Sequence, residues 1–543
     1  MCRYLAPLPP SLLSRWKYKT KVSAQLFLKM RHVHIRAAAA ILSSFSLLLS
    51  PAAGIDSCAC GCRTKSGPDW ITRDGADLKL NGSIFKFASV NIMDLGQLID
   101  RPGYSLTTVT PYEAWDALKA VAIMGGRVAR LYQFSIYNSK NPTDDISNFH
   151  WQGPGKYNEE LFKSLDNTIA TAGFLKVKII IGFIDWWWWR GGCQDFAQTV
   201  FASKSSKSWK TAKAMDFYTD PDVIAEFKRF IQWVVNRKNT VNGIRYADDP
   251  AIMAWELGNE SGGWNEITPA AWTKSIARFI KTVAGDPNHL ILDGTIGGEY
   301  TLSGSSQIKW AYMKEQGVFS DACVDIFNNH YYSSQYDGDY ADRAVRDVAI
   351  VRAAGKPFII GEYGFSNPQS YNLMNAAATN NGVTGTLIWN MNFHSRDGGW
   401  YVHSEGNNFY SYHYPGFSSS TASPSDEVAV MSMLRNWARW ICGQKFVGLP
   451  IPDPPDLSIT GSSPRQMKWR GSPGAQFYSI QRSTSSGGPW NVVASAVMDN
   501  LPSGSTLYSD TSARCGTNYY YRVQACSEGG CSTPSALKGP LKC

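Results

Sequence analysis

Along most of the chain, short runs of apolar and β-branched residues alternate with longer stretches whose apolar positions recur every three or four residues. The short runs occupy 84–92, 127–134, 177–184, 251–257, 289–294, 323–329, 357–363 and 383–389. They are too uniformly apolar for strands with one wet face, and read as strands buried on both sides. The longer stretches predict helices. In 222–238, Val223, Phe227, Phe230, Ile231, Val234 and Val235 make one stripe, and Leu161, Leu165 and Ile169 repeat the spacing in 158–172. Further helices are predicted over 111–124, 268–283, 306–316, 340–354, 370–380 and 426–441. Eight strands, each followed by a helix, predict an α/β fold, a (β/α)8 TIM barrel over 68–443. A doubly wound sheet is the alternative that alternation alone does not separate. Two long connections, 185–220 and 390–425, leave the C-terminal ends of strands three and eight, where such barrels carry their active sites.

The pattern changes at both ends. GLPIPDPPDL at 448–457 marks a proline-rich linker, placed at 444–457. Over 458–543 the strands are short, turns rich in Gly and Ser are frequent, and helical periodicity vanishes. FYSIQRS and GTNYYYRVQACS, with Trp469 and Trp490, resemble a fibronectin type III domain, a small all-β immunoglobulin-like sandwich. In that fold a Tyr soon after a Gly-Thr turn closes a tyrosine corner, and Tyr519 is the matching position. At the other end, Arg31 and Arg36 precede AAAAILSSFSLLL and then small residues, the layout of a secretory signal peptide. Residues 1–54 are therefore a leader, with Met30 as the expected true start and secretion as the destination.

That leader explains the charge. The chain has 53 basic and 44 acidic residues; eight of the basic ones lie in 1–36, which holds no acid, so the remainder is 45 against 44. Nothing there attracts a polyanion, and nucleic-acid binding is excluded. The ten cysteines beyond Cys2 divide into six (Cys58, Cys60, Cys62, Cys193, Cys323, Cys442) and four (Cys515, Cys526, Cys531, Cys543). Even numbers in each part predict disulfides, as export permits, rather than a metal clip at CACGC. In the smaller set Cys526 is expected to pair with Cys531, and Cys515 with Cys543. The 20 tryptophans and 26 tyrosines suit a protein that handles flat, half-apolar sugar rings.

Two glutamates fall at the ends of predicted strands, Glu260 in AWELGNE and Glu362 in IIGEYGF. Acids are disfavoured there unless paired or used. Strands four and seven face each other across a barrel mouth, and glycoside hydrolysis needs two carboxyls across the scissile bond. Either glutamate alone would read as a salt-bridged rim carboxylate.

The segment FYTDPDVIAEFKRFIQWVVNRKNTVNGIRYADDPAIMAWELGNE, 217–260, closely resembles endo-β-1,4-mannanases of glycoside hydrolase family 5, and the resemblance runs through 68–443. It implies Asn259 and Glu260 as the Asn-Glu pair, with Glu260 as acid/base and Glu362 as nucleophile. It further implies Arg130 in VARLYQF, His330 and Tyr332 in NNHYY after the sixth strand, and Trp389 on the eighth. Arg130 would keep Glu362 ionised, Tyr332 would donate to it, and Asn259 would bind the sugar 2-OH. Trp186, Trp187, Trp188 and Trp189 cannot all enter one core, so at least one or two should face the cleft; a plug beneath the loop is the bland alternative. Trp400 is a weaker candidate of the same kind. WNMNFHSRDGGW after the eighth strand departs from many mannanases, and the residues that discriminate substrates are expected on the two long loops, near the tryptophan run and His394.

The function implied is a retaining hydrolase of internal bonds in mannan, glucomannan or galactomannan, without metal or cofactor. Its partner is a β-mannan-type polysaccharide; no membrane is expected once the leader is cleaved, and the protein is expected to be a monomer. The alternatives are a β-glucanase, an end-acting β-mannosidase, or a non-catalytic carbohydrate-binding protein. Asn81-Gly82-Ser83 is the plausible glycan site, since the sequon Asn259-Glu260-Ser261 overlaps the active site.

Overall fold

The computed structural model describes residues 67–100, 105–141, 145–263, 265–296, 309–332, 340–405, 411–417, 426–445 and 447–543. The leader and Cys58, Cys60 and Cys62 lie outside these residues.

The eight apolar runs become eight parallel strands: β1 (Phe87–Asn91), β2 (Val128–Gln133), β3 (Lys178–Gly182), β4 (Ile252–Glu256), β5 (Leu290–Leu292), β6 (Phe327–Tyr332), β7 (Phe358–Gly364) and β8 (Gly385–Ile388). Each pairs with its sequence neighbour, and β8 returns to β1 with Gly385 opposite Phe87. The ring closes between β5 and β6, where Leu292 bridges Ile326 and the Ile326 N–H donates to the Ile291 carbonyl at 2.9 Å. Closure excludes the doubly wound alternative. Helices α1 (Pro111–Met124), α2 (Glu159–Leu175), α3 (Pro221–Asn236), α4 (Ala270–Thr282), α5 (Lys309–Glu315), α6 (Tyr340–Ala353), α7 (Pro368–Asn380) and α8 (Glu427–Ile441) follow the strands in turn.

Local signals set the helix starts. Thr110 and Glu113 form a reciprocal capping box before Pro111, and Asp220 caps α3 ahead of Pro221. Six buried residues of α3, Val223, Phe227, Phe230, Ile231, Val234 and Val235, enter the shell between helices and strands. Inside the barrel Phe87, Val128, Ile180, Met253, Leu290 and Ile359 form a separate apolar layer. A hairpin, Ile71–Asp74 with Asp77–Leu80, lays Ile71 and Leu78 under it. The N-terminal end is thus sealed with hydrocarbon, and the polar residues of the barrel gather at the other end.

Strand six begins later than the sequence predicts, at Phe327 rather than 323, so His330 and Tyr332 lie within the strand and not after it. The long connection after β3 folds partly into a helix, Cys193–Ala202.

The C-terminal part is all β. β9 (Phe477–Ser483) pairs antiparallel with β10 (Asn491–Val497) and β11 (Tyr519–Ser527), and β11 also pairs with β12 (Gly530–Cys531) and β13 (Lys538–Leu541). Its own core includes Met467, Trp469, Tyr478, Ile480, Tyr521 and Val523. The Tyr519 hydroxyl accepts the Arg514 N–H at 3.2 Å, tying the start of β11 to the turn before it.

Cys526 and Cys531 are joined, and Cys323 is disulfide-bonded. The even count misleads elsewhere. Cys193 and Cys442 are free thiols at opposite ends of the barrel: Cys193 follows β3 and meets the Tyr218 hydroxyl, while Cys442 meets Lys86 before β1. Cys515 and Cys543 are also free thiols, in contact with their sulfurs 2.6 Å apart.

Candidate active site

At the C-terminal end of the barrel one guanidinium organises the rest. Arg130, fully buried on β2, donates to both oxygens of Glu256 at 2.7 and 2.9 Å. It also donates to Asn91 at 3.0 Å, to Glu362 Oε1 at 2.8 Å and to Asn259 Oδ1 at 2.7 Å. All five N–H groups of an arginine are therefore used, something no lysine can match. Burial disfavours the charge, yet Glu256 and Glu362 hold its pKa above the ordinary arginine value.

The two sequence-predicted glutamates meet beside it. One oxygen from Glu260, one from Glu362 and a ring nitrogen of His330 lie within 4.8 Å of one another. His330 Nδ1 is 2.8 Å from Glu260 Oε1 and 3.4 Å from Glu362 Oε2. The Tyr332 hydroxyl donates to Glu362, and the Trp187 indole N–H donates to Glu260. Glu260 sits just beyond β4 with φ of 50°, a left-handed conformation that a side chain resists by about 1 kcal/mol or more and that turns it toward the mouth.

Burial raises both carboxyls, with different results. At Glu260 the His330 hydrogen bond and charge, joined by Trp187 and Arg130, overcome burial and hold the group below its ordinary value. At Glu362 burial and the Glu260 charge outweigh His330, Arg130 and Tyr332, so it lies above. Burial opposes the charge of His330, and Glu362 and Glu260 more than restore it, lifting its pKa. Three groups thus compete for protons in one water-poor space.

The pattern that defines GH family 5 β-mannosidase-like proteins matches residues 68–414. The chain belongs to glycoside hydrolase family 5. It resembles mannan endo-1,4-β-mannosidase 1 of Solanum lycopersicum, 26% identical over 383 residues that cover 63% of this chain and 90% of that one. A family 5 mannosidase structure from Rhizomucor miehei matches with a TM-score of 0.51 and 20% identity, covering 70% of this chain and 99% of the other. An endo-β-1,4-mannanase structure from Thermotoga petrophila matches with a TM-score of 0.50 and 20% identity, covering 84% and 99%. The likenesses in structure show the barrel; family membership makes this protein a glycosidase.

Around the glycosidase's carboxylates the structure gathers Arg130, Asn259, His330, Tyr332, Trp187 and Trp389, and it separates the remaining candidates. Trp389 follows β8, packs with Tyr132 and Tyr332, and donates its indole N–H to Glu405. Trp186 is half-buried and stacks on Tyr218 at 6.1 Å. Trp188 and Trp189 are 70% and 58% exposed and pack on each other at 4.6 Å. Trp400 is not a cleft residue: it is 2% exposed, lies 3.6 Å centroid to centroid from His394, and bridges Pro502 of the β domain. His394 is likewise removed from substrate, buried between Asp116 and Asp499.

Several partners escaped the sequence reading. Glu256 ends an apolar strand, the very signal that singled out Glu260 and Glu362, and would have been found by applying it evenly. Asp185, three residues past β3, accepts the Tyr132 hydroxyl at 2.7 Å and Asn259 Nδ2 at 2.9 Å. Burial, against those hydrogen bonds, pushes its carboxyl up to about 7. Asn91 and Tyr132 carried no local signal. Of the two sequons, Asn81 lies exposed in the turn after the N-terminal hairpin, whereas the Asn259 amide is buried and bonded on both sides.

Proposed function

We propose that this family 5 enzyme is a secreted, retaining endo-β-1,4-mannanase, with Glu362 as nucleophile and Glu260 as acid/base. The observation that carries the reading is the approach of the two carboxylates to within 4.8 Å. Retaining glycosidases hold theirs at about 5–5.5 Å, whereas inverting ones leave about 6.5–9.5 Å for a water.

The surroundings divide the labour. Glu362 has a cation and a hydroxyl donor, which stabilise its anion and aim an oxygen. Glu260 shares a proton with His330 across 2.8 Å. In the free site that proton favours the imidazole. Substrate excludes water, and exclusion favours the neutral pair of acid and imidazole over the ion pair. Glu260 then protonates the glycosidic oxygen as Glu362 attacks the anomeric carbon, giving a glycosyl ester and a free leaving chain. In the second half Glu260 takes a proton from water, whose oxygen displaces Glu362 and frees the sugar. Asn259 is held by Arg130 through its oxygen and by Asp185 through one N–H; its second N–H donates to the Tyr132 hydroxyl over a longer 3.3 Å and exchanges that partner for the substrate 2-OH.

Secretion rests on the leader pattern at 1–54, and no helix among the described residues is long and apolar enough to cross a membrane. The fibronectin type III reading of 458–543 is supported by the antiparallel sheet and the Tyr519 tie. Product analysis on mannan, glucomannan, cellulose and xylan tests the substrate. Internal cleavage of mannan or glucomannan at least about tenfold faster than cellulose, roughly 1.4 kcal/mol in transition-state binding, is expected. Equal action on cellulose, or release of mannose alone from chain ends, contradicts it.

A further inference from the structure

The segment after β8 leads from the cleft to the β domain. It starts at Trp389, in the mouth, and Asn392 donates to Asp94 at 3.2 Å, which in turn pairs with Arg190 at 2.6 Å just past the tryptophan run. It re-emerges at Glu405, which accepts the Trp389 indole. Between these points the chain takes several of its hydrogen bonds from the C-terminal domain. The Trp400 N–H donates to the Leu501 carbonyl and the Ser503 N–H to the Trp400 carbonyl, both at 2.9 Å. The Gly504 N–H donates to the Gly398 carbonyl at 2.9 Å, and the Arg470 guanidinium to the Arg396 carbonyl at 2.9 Å.

Glycines permit this contact. A Cβ on Gly399 would stand 2.4 Å from the Leu501 carbonyl, and one on Gly471 would stand 2.2 Å from His394 Nε2. At the centre His394 joins three elements. Its Nδ1 meets Asp116 of α1 at 2.7 Å and its Nε2 meets Asp499 of the β domain at 3.0 Å. Tyr112 of α1 and Tyr478 of β9 lie beside the cluster, and Arg396 pairs with Glu113 at 2.7 Å.

We infer that the C-terminal domain is a positioning element of the active site: it supplies the backbone partners and the carboxylate, Asp499, that hold the post-β8 segment and so fix Trp389 and Glu405 in the cleft. The inference rests on the cleft being the mannan site. Buried polar backbone needs partners, and without the domain Trp400 and Gly398 have none of those just named. Asp499 touches neither substrate nor the reacting carboxylates; it is a positioning residue that acts through His394.

Asp499→Ala and Asp499→Asn in the full-length enzyme test this by amide hydrogen exchange and steady-state kinetics on a manno-oligosaccharide. In Asp499→Ala, exchange should quicken in 395–405 while β3 stays protected. KM should rise about fivefold or more with kcat changed less than about twofold, because binding groups move and Glu362 does not. Asp499→Asn keeps the shape and loses the charge, and should fall between. Quickened exchange with unchanged KM, or unchanged exchange, overturns the inference. If Asp499→Ala exchanges throughout the barrel, Asp499→Asn decides by the same criteria. Wild-type enzyme inert on every mannan strikes the substrate reading instead, and leaves the exchange result to judge the coupling.

Discussion

His330 and His394 are both buried, and each stands between two carboxylates drawn from different elements. His394 meets them with opposite ring nitrogens, one to Asp116 and one to Asp499. Burial opposes its charge, but the two aspartates push it up to about 9, so both nitrogens donate and the proton is fixed in place. His330 faces Glu260 and Glu362 with the same nitrogen, Nδ1, while the Arg130 charge works against its protonation. Its proton has two claimants and a competing cation. An imidazole between two carboxylates is a fastener in one geometry and, in the proposed mechanism, a proton exchanger in the other.

The largest break in this comparison comes from the exchanger's partners. Glu362→Ala or Glu260→Ala should lower kcat/KM on mannan by about a thousandfold or more while thermal unfolding stays cooperative; wild-type-like rates in either would remove the assignment. Arg130→Lys should follow at about a hundredfold, since lysine keeps the charge but cannot hold Glu256, Glu362, Asn91 and Asn259 together. His330→Gln should cost about tenfold and reshape the pH profile. The wild-type kcat/KM should be bell-shaped. Its acid limb should lie above 4.5, because Glu362 is raised and must be ionised to attack. Its basic limb should lie above 6.5, where the proton shared by His330 and Glu260 leaves. In His330→Gln that basic limb should move downward, and an unmoved limb would deny His330 its part.

His394→Gln should leave both limbs in place and act on stability. Breaking a buried charge cluster costs about 3 kcal/mol, to be read as a fall in Tm at neutral pH. A histidine raised from 6.5 to about 9 stabilises fully below pH 6.5, and its contribution disappears as pH rises through about 9. The gap in Tm between wild type and His394→Gln should therefore narrow from pH 6.5 to 9. The smallest effect concerns Cys515 and Cys543, free thiols with their sulfurs 2.6 Å apart: mild oxidation should join them with the loss of two thiols by assay, and thiols that survive oxidation would contradict their proximity.

The barrel was legible because its strands are buried on both faces and its helices carry one stripe, so pattern and burial coincide. It failed at β6, where Asn328, Asn329 and His330 turn toward polar partners and break the apolar run that marks a strand. Glu260 and Glu362 stood out as acids at the ends of apolar strands and Arg130 through the family resemblance, and the structure brings the three together. Glu256 was legible by its position on an apolar strand and passed over. Trp400 and His394 were misread for a physical reason: an aromatic-rich loop at a barrel mouth looks alike whether it faces sugar or another domain. The carboxylate that decides between them, Asp499, lies 105 residues further along the chain from His394. Nothing local to WNMNFHSRDGGW announces it, except glycines at 398 and 399 that a close approach requires.

The central claim is that Glu362 attacks carbon while Glu260 trades protons with His330. The most direct test is the configuration of the newly formed reducing end, followed by proton NMR during the first moments of manno-oligosaccharide hydrolysis. Two successive displacements return the β anomer first, with α appearing only as mutarotation proceeds. The α anomer appearing first would mean a single displacement by water, and would contradict the account.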